Sequence, residues 1–257
     1  MPKGAALITG ASSGIGTELA KLCAANGYGL ILVARSGDRL GDLAGSLAKA
    51  QGVEARALVA DLSDPAAPQS IFERTRGDTV EILINNAGFG LRGPFAETDW
   101  AAEARLIQVN VTSLVHLTKV FLPGMLGRRS GRILNVASTA AFVPGPLMSM
   151  YYASKAFVLS FSEAVANEVK GSGVTLTVLC PGPTRTAFFE AAGITDSNLL
   201  KRSSMSAEEV ARIGYRAMMA GKTEVIAGAR NRWLMRGTRL APRGMLAAVT
   251  RRLNSSA

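Results

Sequence analysis

Short apolar runs alternate with longer amphipathic stretches along most of this chain. The first run, residues 5–9, leads into Gly10-Ala11-Ser12-Ser13-Gly14-Ile15-Gly16. An amphipathic pattern then continues to about Ala25, where Asn26-Gly27 supplies a helix stop. A second run at 30–34 is followed by a helical segment from Asp38 to about Ala50. Residues 55–60 predict a third strand, with a helix beginning near Ser63, and residues 80–84 a fourth. A long helical stretch from about Asp99 to Met125 precedes a fifth strand at 132–137. The next helix carries Tyr151, runs to about Lys170 and ends at Gly171-Ser172-Gly173, before a sixth strand at 174–180. Ser206-Ala207-Glu208-Glu209 has the form of a capping box opening a helix, and residues 223–227 predict a last strand.

Strands bounded by turn signals and alternating with helices imply βαβ units and a parallel sheet covered on both faces. The pattern predicts one doubly wound α/β domain over residues 1–228, with no internal repeat or linker before a tail at 229–257. With 48% hydrophobic and 19% charged residues, the 257-residue chain can bury a substantial core, which excludes a disordered chain. Cys23 and Cys180 provide neither a disulfide framework nor metal-ligand spacing, so a reducing compartment and no metal site are expected. The apolar stretch near the N-terminus is too short for a signal peptide, and no apolar run is seen to reach the roughly 18 residues of a spanning helix. A soluble, cytoplasmic protein is the expectation.

Charge changes that picture at one end. Residues 230–257 hold seven arginines and no lysine or acidic residue; 29 basic residues less those seven leaves 22 against 19 acidic, so the body is nearly balanced and the tail carries most of the net +10. The tail has one aromatic residue, Trp233, and no nucleic-acid motif, which argues against a nucleic-acid partner.

The chemistry centres on Tyr151-Tyr152-Ala153-Ser154-Lys155. On a helix, residues 151 and 155 share a face one turn apart, so a phenol and an ammonium point side by side. A nearby cation favours the phenolate and brings tyrosine towards the range useful for proton transfer. The glycine loop at 10–16 follows a predicted strand and opens a predicted helix, the context in which such a loop can hold a pyrophosphate at a helix N-terminus. His116, the sole histidine, has no partner for a triad or a metal site and is expected to be structural.

Together, TGASSGIG at 9–16, NNAG at 85–88, Asn110, Ser138, Tyr151/Lys155 and Pro181-Gly182 resemble the short-chain dehydrogenase/reductase family in order and interval. The resemblance covers roughly residues 3–228. It implies a seven-stranded Rossmann-type sheet, a nicotinamide cofactor, a small-molecule carbonyl or alcohol substrate, and a homodimer or homotetramer. Tyr151 would be the proton donor in carbonyl reduction, Lys155 the residue that lowers its pKa and holds the nicotinamide ribose, and Ser138 a hydrogen-bond partner of the substrate oxygen. Asn110 would sit at a helix irregularity and support a water relay to Lys155.

The same resemblance implies cofactor contacts from Gly10, Ser12, Ser13, Gly14, Ile15 and Gly16 in the loop, and from Asn86, Ala87 and Gly88. It adds Asp61 and Leu62 after the third strand, Tyr151 and Lys155, and Pro181, Gly182, Thr184 and Thr186 near the nicotinamide. Residues 187–205 would form a substrate lid, with Phe188, Phe189, Ile194, Leu199 and Leu200 as an apolar wall. An NAD site usually has an acidic residue after the second strand, whereas this chain has Ala34-Arg35-Ser36 there, which favours the additional phosphate of NADP over NAD. Ser13 stands where the family often has a further basic residue, which weighs the other way. The residues leave the direction open between carbonyl reduction and alcohol oxidation, and also leave a non-catalytic NADP-binding regulator as an alternative.

In the tail, Leu246, Val249 and Leu253 recur at helical spacing beside Arg251 and Arg252. Three roles remain open for such a basic amphipathic helix: peripheral contact with an anionic membrane, packing over the substrate cleft, or a subunit interface.

Overall fold

A computed structural model describes residues 3–186, 204–238 and 240–255. Strand β1 (Lys3–Thr9) lies in the interior of the sheet because it is apolar on both faces: Ala6 and Ile8 point to one side, Leu7 to the other, and all are fully buried. Around it are β2 (Tyr28–Ala34), β3 (Ala55–Val59), β4 (Val80–Asn85), β5 (Gly131–Val136) and β6 (Val174–Cys180). A two-residue pair, β7 (Thr184–Arg185) and β8 (Met205–Ser206), stands apart, and β9 (Glu224–Ile226) ends the series. The main sheet runs β3-β2-β1-β4-β5-β6-β9, every neighbour parallel, which is the expected seven-stranded Rossmann-type arrangement.

Helices cover both faces. On one side α1 (Gly14–Ala25), α2 (Gly37–Gln51) and α7 (Ala207–Met219) contribute Leu19, Cys23, Leu40, Leu47, Val210 and Met218 against Ala6, Ile8, Leu32 and Ile84. On the other, α3 (Ala67–Arg74), α5 (Ser113–Arg128) and α6 (Ser149–Glu168) bring Ile71, Leu117, Phe121 and Val165 against Leu7, Ile31, Leu83 and Ile133. Strand order reverses between β1 and β4, so the segments leaving their carboxyl ends diverge and open a crevice.

Several boundaries differ from the sequence expectation for physical reasons. Helix α3 begins at Ala67 rather than near Ser63, because the Asp61 and Asp64 carboxylates accept the Ser63 and Ala66 N–H groups, each at 2.9 Å, and hold two turns first. The capping box at Ser206 and Glu209 forms as expected. The long helix is α4 (Trp100–Ile107), a π turn (Gln108–Thr112) and α5 in continuous succession.

Those 29 residues are long and apolar enough to cross a membrane, which corrects the expectation that no segment reaches that length. In this fold Leu106, Leu117, Phe121 and Met125 on that helix are buried, and the last three belong to the core behind the sheet. The expected lid at 187–205 lies outside the described residues except for its last two positions, Ser204 and Met205, the latter in β8, and its five apolar candidates are all outside them.

The tail forms α8 (Ala229–Thr238) and α9 (Arg243–Ser255). Here the inward face is not the apolar stripe. Thr250 and Asn254 are buried, whereas Val249 and Leu253 are exposed. Asn254 decides this orientation: its Nδ2 donates to the Pro146 carbonyl at 2.9 Å and its Oδ1 accepts from the Tyr152 hydroxyl at 3.2 Å.

Candidate active site

The glycine loop turns sharply between β1 and α1, with Gly10 and Gly14 in the left-handed region at φ 64° and 58°. A Cβ at Gly16 would stand 2.3 Å from the Gly10 carbonyl oxygen, so only glycine permits this close crossing of loop and helix. The N-cap Ser13 makes no side-chain cap hydrogen bond, leaving the first-turn N–H groups of α1 for an anion. Ile15 packs its side chain on the core, so it can offer a ligand only its backbone. This cradle fits a dinucleotide pyrophosphate: close backbone, a first turn without a side-chain cap and a helix N-terminus coincide.

Asn86 fastens the loop to the end of β4. Its Nδ2 donates to the Thr9 and Gly10 carbonyls at 3.0 and 3.1 Å, while Thr9 Oγ1 accepts the Asn86 and Ala87 N–H groups. Its side chain therefore supports the cradle through other residues. From across the crevice, Thr186 reaches the Gly14 position, where an added Cβ would meet Thr186 Cγ2 at 2.8 Å. Arg35 is exposed after β2 and close enough to Asp61 to help hold that carboxyl low, although the Ser63 N–H is the main cause. Leu62 is buried in the core, which leaves its backbone alone for any contact. Thr184 is buried, and Gly182 is packed against Asn231 of α8.

The proposed proton-transfer residues meet at the N-terminal part of α6. The Tyr151 hydroxyl shares a hydrogen bond with Ser138, which lies just after β5 and caps a short 3₁₀ turn through the Ala140 N–H. Tyr151 as a residue is only partly buried, yet the surroundings of its hydroxyl are dry enough to push the phenol up to about 12, with the Ser138 hydrogen bond opposing that rise. Lys155 is buried, and desolvation pushes its ammonium down to about 8. Its Nζ donates to the Val136 carbonyl at 3.0 Å and stands 5.9 Å from the Tyr151 ring centre. In this state burial outweighs the Ser138 hydrogen bond and raises the phenol, and the lowering by Lys155 that the spacing led one to expect is not among the causes.

Asn110 occupies the π turn, where the widened helix lets its side chain serve three partners. Oδ1 accepts from the Phe89 N–H at 3.0 Å, and Nδ2 donates to the Phe89 carbonyl at 3.0 Å and to Ser154 Oγ at 3.1 Å. Ser154 in turn donates to the Tyr151 carbonyl at 2.7 Å. Gly88 separates Asn110 from Lys155: a Cβ there would come within 3.0 Å of Asn110 Oδ1 and 3.2 Å of Lys155 Nζ. Ser154 and Asn231 were missed as site-supporting residues. Ser154 had a signal, since a serine three positions after Tyr151 lies on the same face of α6 as that tyrosine; Asn231 had none.

Relatives bear on what this arrangement is. The family model for short chain dehydrogenases matches residues 4–196. A very-long-chain 3-oxoacyl-CoA reductase of Anas platyrhynchos is 35% identical over 185 residues, covering 68% of this chain and 58% of that protein, so the match spans little more than half of its length. The solved short-chain dehydrogenase of Sphingobium yanoikuyae in complex with NADPH is 35% identical, with a TM-score of 0.84 over 93% of this chain and 94% of that one. A 7β-hydroxysteroid dehydrogenase structure has a TM-score of 0.89 at 26% identity, covering 96% of each chain. On the extent of these matches, the chain belongs to the short chain dehydrogenase family.

Proposed function

We propose that this chain reduces an apolar ketone or aldehyde to an alcohol with NADPH, and that Tyr151 donates the proton. The observation that supports this most is the desolvated Tyr151 hydroxyl bonded to Ser138, within one helical turn of buried Lys155, whose Nζ lies against Gly88 after β4. A bound nicotinamide supplies the hydride. Ser138 and Tyr151 both hydrogen-bond the substrate oxygen, so charge developing there meets two donors already in place. The proton moves from Tyr151 Oη to that oxygen. Lys155 keeps one donor on Val136 and has two left, for the cofactor ribose and for stabilising the phenolate that the transfer leaves behind. Relatives named for reduction of 3-oxoacyl thioesters and oxidoreduction of hydroxysteroids support an apolar carbonyl as the substrate class. Following NADPH oxidation across ketones, aldehydes and acyl thioesters tests the reading; no turnover of any carbonyl overturns it and favours the cofactor-binding regulator.

The pH dependence follows from the lysine. Tyr151 holds its proton to about 12, so it remains an acid across the working range. Lys155 loses charge as pH rises through about 8, so kcat/KM for reduction is expected to be level below that pH and to fall above it. Lys155→Arg, which keeps its charge to higher pH, should move the falling limb upward in a pH profile. An unmoved limb assigns the titration to another group.

The NADP preference rests on Arg35 and on the missing acid after β2. Arg35→Asp is expected to raise KM for NADPH by about tenfold or more, since a charge-assisted bond to phosphate becomes a repulsion, and to favour NADH. Steady-state kinetics with both cofactors check it. A wild type that already prefers NADH refutes the charge argument.

A further inference from the structure

Large apolar side chains left in water are concentrated on segments that follow the carboxyl ends of β4 and β9. Phe95 and Trp100 lie between β4 and α4 or at its start, while α8, α9 and their connection hold Trp233 (75% exposed), Leu234, Leu240 (91%), Met245, Val249 and Leu253. Among the described residues only Val59, Leu126 and Phe157 elsewhere are exposed large hydrophobics. On α9, Met245, Val249 and Leu253 stand at every fourth position and form one row along the helix, at 55%, 51% and 42% exposure. The opposite orientation, with this row inward, is prevented by the two hydrogen bonds of Asn254 to Pro146 and Tyr152. The turn at 146–148 that receives Asn254 also accepts the Gly93 N–H on Leu147, at 2.8 Å. Helix α9 and the segment with Phe95 and Trp100 therefore flank the same turn, directly before the helix of Tyr151.

Charge selects the occupant. Arg232, Arg236, Arg243 and Arg251 are exposed on α8 and α9, and no acidic residue occurs from 230 to 257. A second copy placed on this face would set arginines against arginines. A lipid surface with anionic headgroups takes both features, accepting the apolar row at the headgroup–acyl boundary and the guanidinium groups at its phosphates. We propose that α8 and α9 form a docking face for an anionic membrane and set the mouth of the site, beside residues 93–100 and 146–148, at the lipid boundary. The face does not depend on the reductase reading, because its test reads binding and not turnover.

The full chain is sedimented with phosphatidylcholine vesicles with and without phosphatidylglycerol, at low and high salt. It is expected to pellet with the anionic vesicles at low salt, to be released by high salt and to stay in solution with phosphatidylcholine alone. Arg232→Glu combined with Arg243→Glu should lower partitioning by more than about tenfold, since each cation near an anionic surface is worth about fivefold. Met245→Ser combined with Val249→Ser should lower it as well, with Tm unchanged because both side chains already stand in water. Absence of the wild type from the anionic pellet at low salt overturns the proposal. So does equal pelleting by both double variants, or a dimer that the Met245→Ser, Val249→Ser pair dissociates without any change in lipid binding.

Discussion

Tyr151→Phe is expected to lower carbonyl turnover by about three orders of magnitude, the middle of the range for loss of a general acid, while NADPH binding stays near that of the wild type. The ring remains to pack beside Tyr152, whose centroid is 5.9 Å away, so little besides the hydroxyl is removed. Ser138 keeps the Ala140 N–H as a partner and its place after β5. Tyr152 cannot take over. It lies about 100° around the helix, and its hydroxyl is engaged by Asn254. Stopped-flow transients with NADPH and a reducible ketone separate cofactor binding from chemistry; near-normal turnover by the variant removes Tyr151 from the mechanism.

Gly16→Ala carries the second large effect, and it acts on the cradle rather than on the proton. The added methyl would stand 2.3 Å from the Gly10 carbonyl oxygen and 2.6 Å from Asn86 Nδ2, neither of which is the free end of a flexible chain. Helix α1 must move away from β1, and the Asn86 bonds to Thr9 and Gly10 stretch with it. Overpacking of this kind costs about 1–3 kcal/mol. For a chain of this size that corresponds to a Tm lower by roughly 2–12 °C. Displacement of the first-turn N–H groups should also weaken NADPH binding by more than about tenfold, two or more hydrogen bonds to a charged group being lost. Melting curves and fluorescence titration read the two effects separately. An alanine variant that melts and binds like the wild type refutes the close-crossing argument.

What could be read from the sequence was local. The unbroken apolar run along residues 5–8 announces a strand buried on both faces, and the glycine loop, Asn110 and the Tyr151/Lys155 spacing announce their neighbourhood. Desolvation is a property of the assembled fold, and for that reason the spacing of 151 and 155 does not disclose it: adjacency on a helix says nothing about how much protein closes over the hydroxyl. The orientation of the tail was not legible for a related reason. Its 3.6-residue apolar pattern is real, but the partners that orient α9 lie more than 100 positions earlier, at Pro146 and Tyr152. Asp61 and Asp64 delayed α3 through side-chain bonds that a hydrophobic pattern does not register.

The π turn at Gln108–Thr112 has a consequence for how this chain tolerates length changes. A π turn holds one residue more than an α turn, so the helix before it is out of phase with the helix after it by about 100°. Leu106 and Leu117 are both buried across that slip. Deleting one residue within 108–112 would restore a regular helix and improve its local hydrogen bonding. It would also remove the widened turn through which residue 110 reaches Phe89 and Ser154. The more regular helix would then belong to a less functional protein.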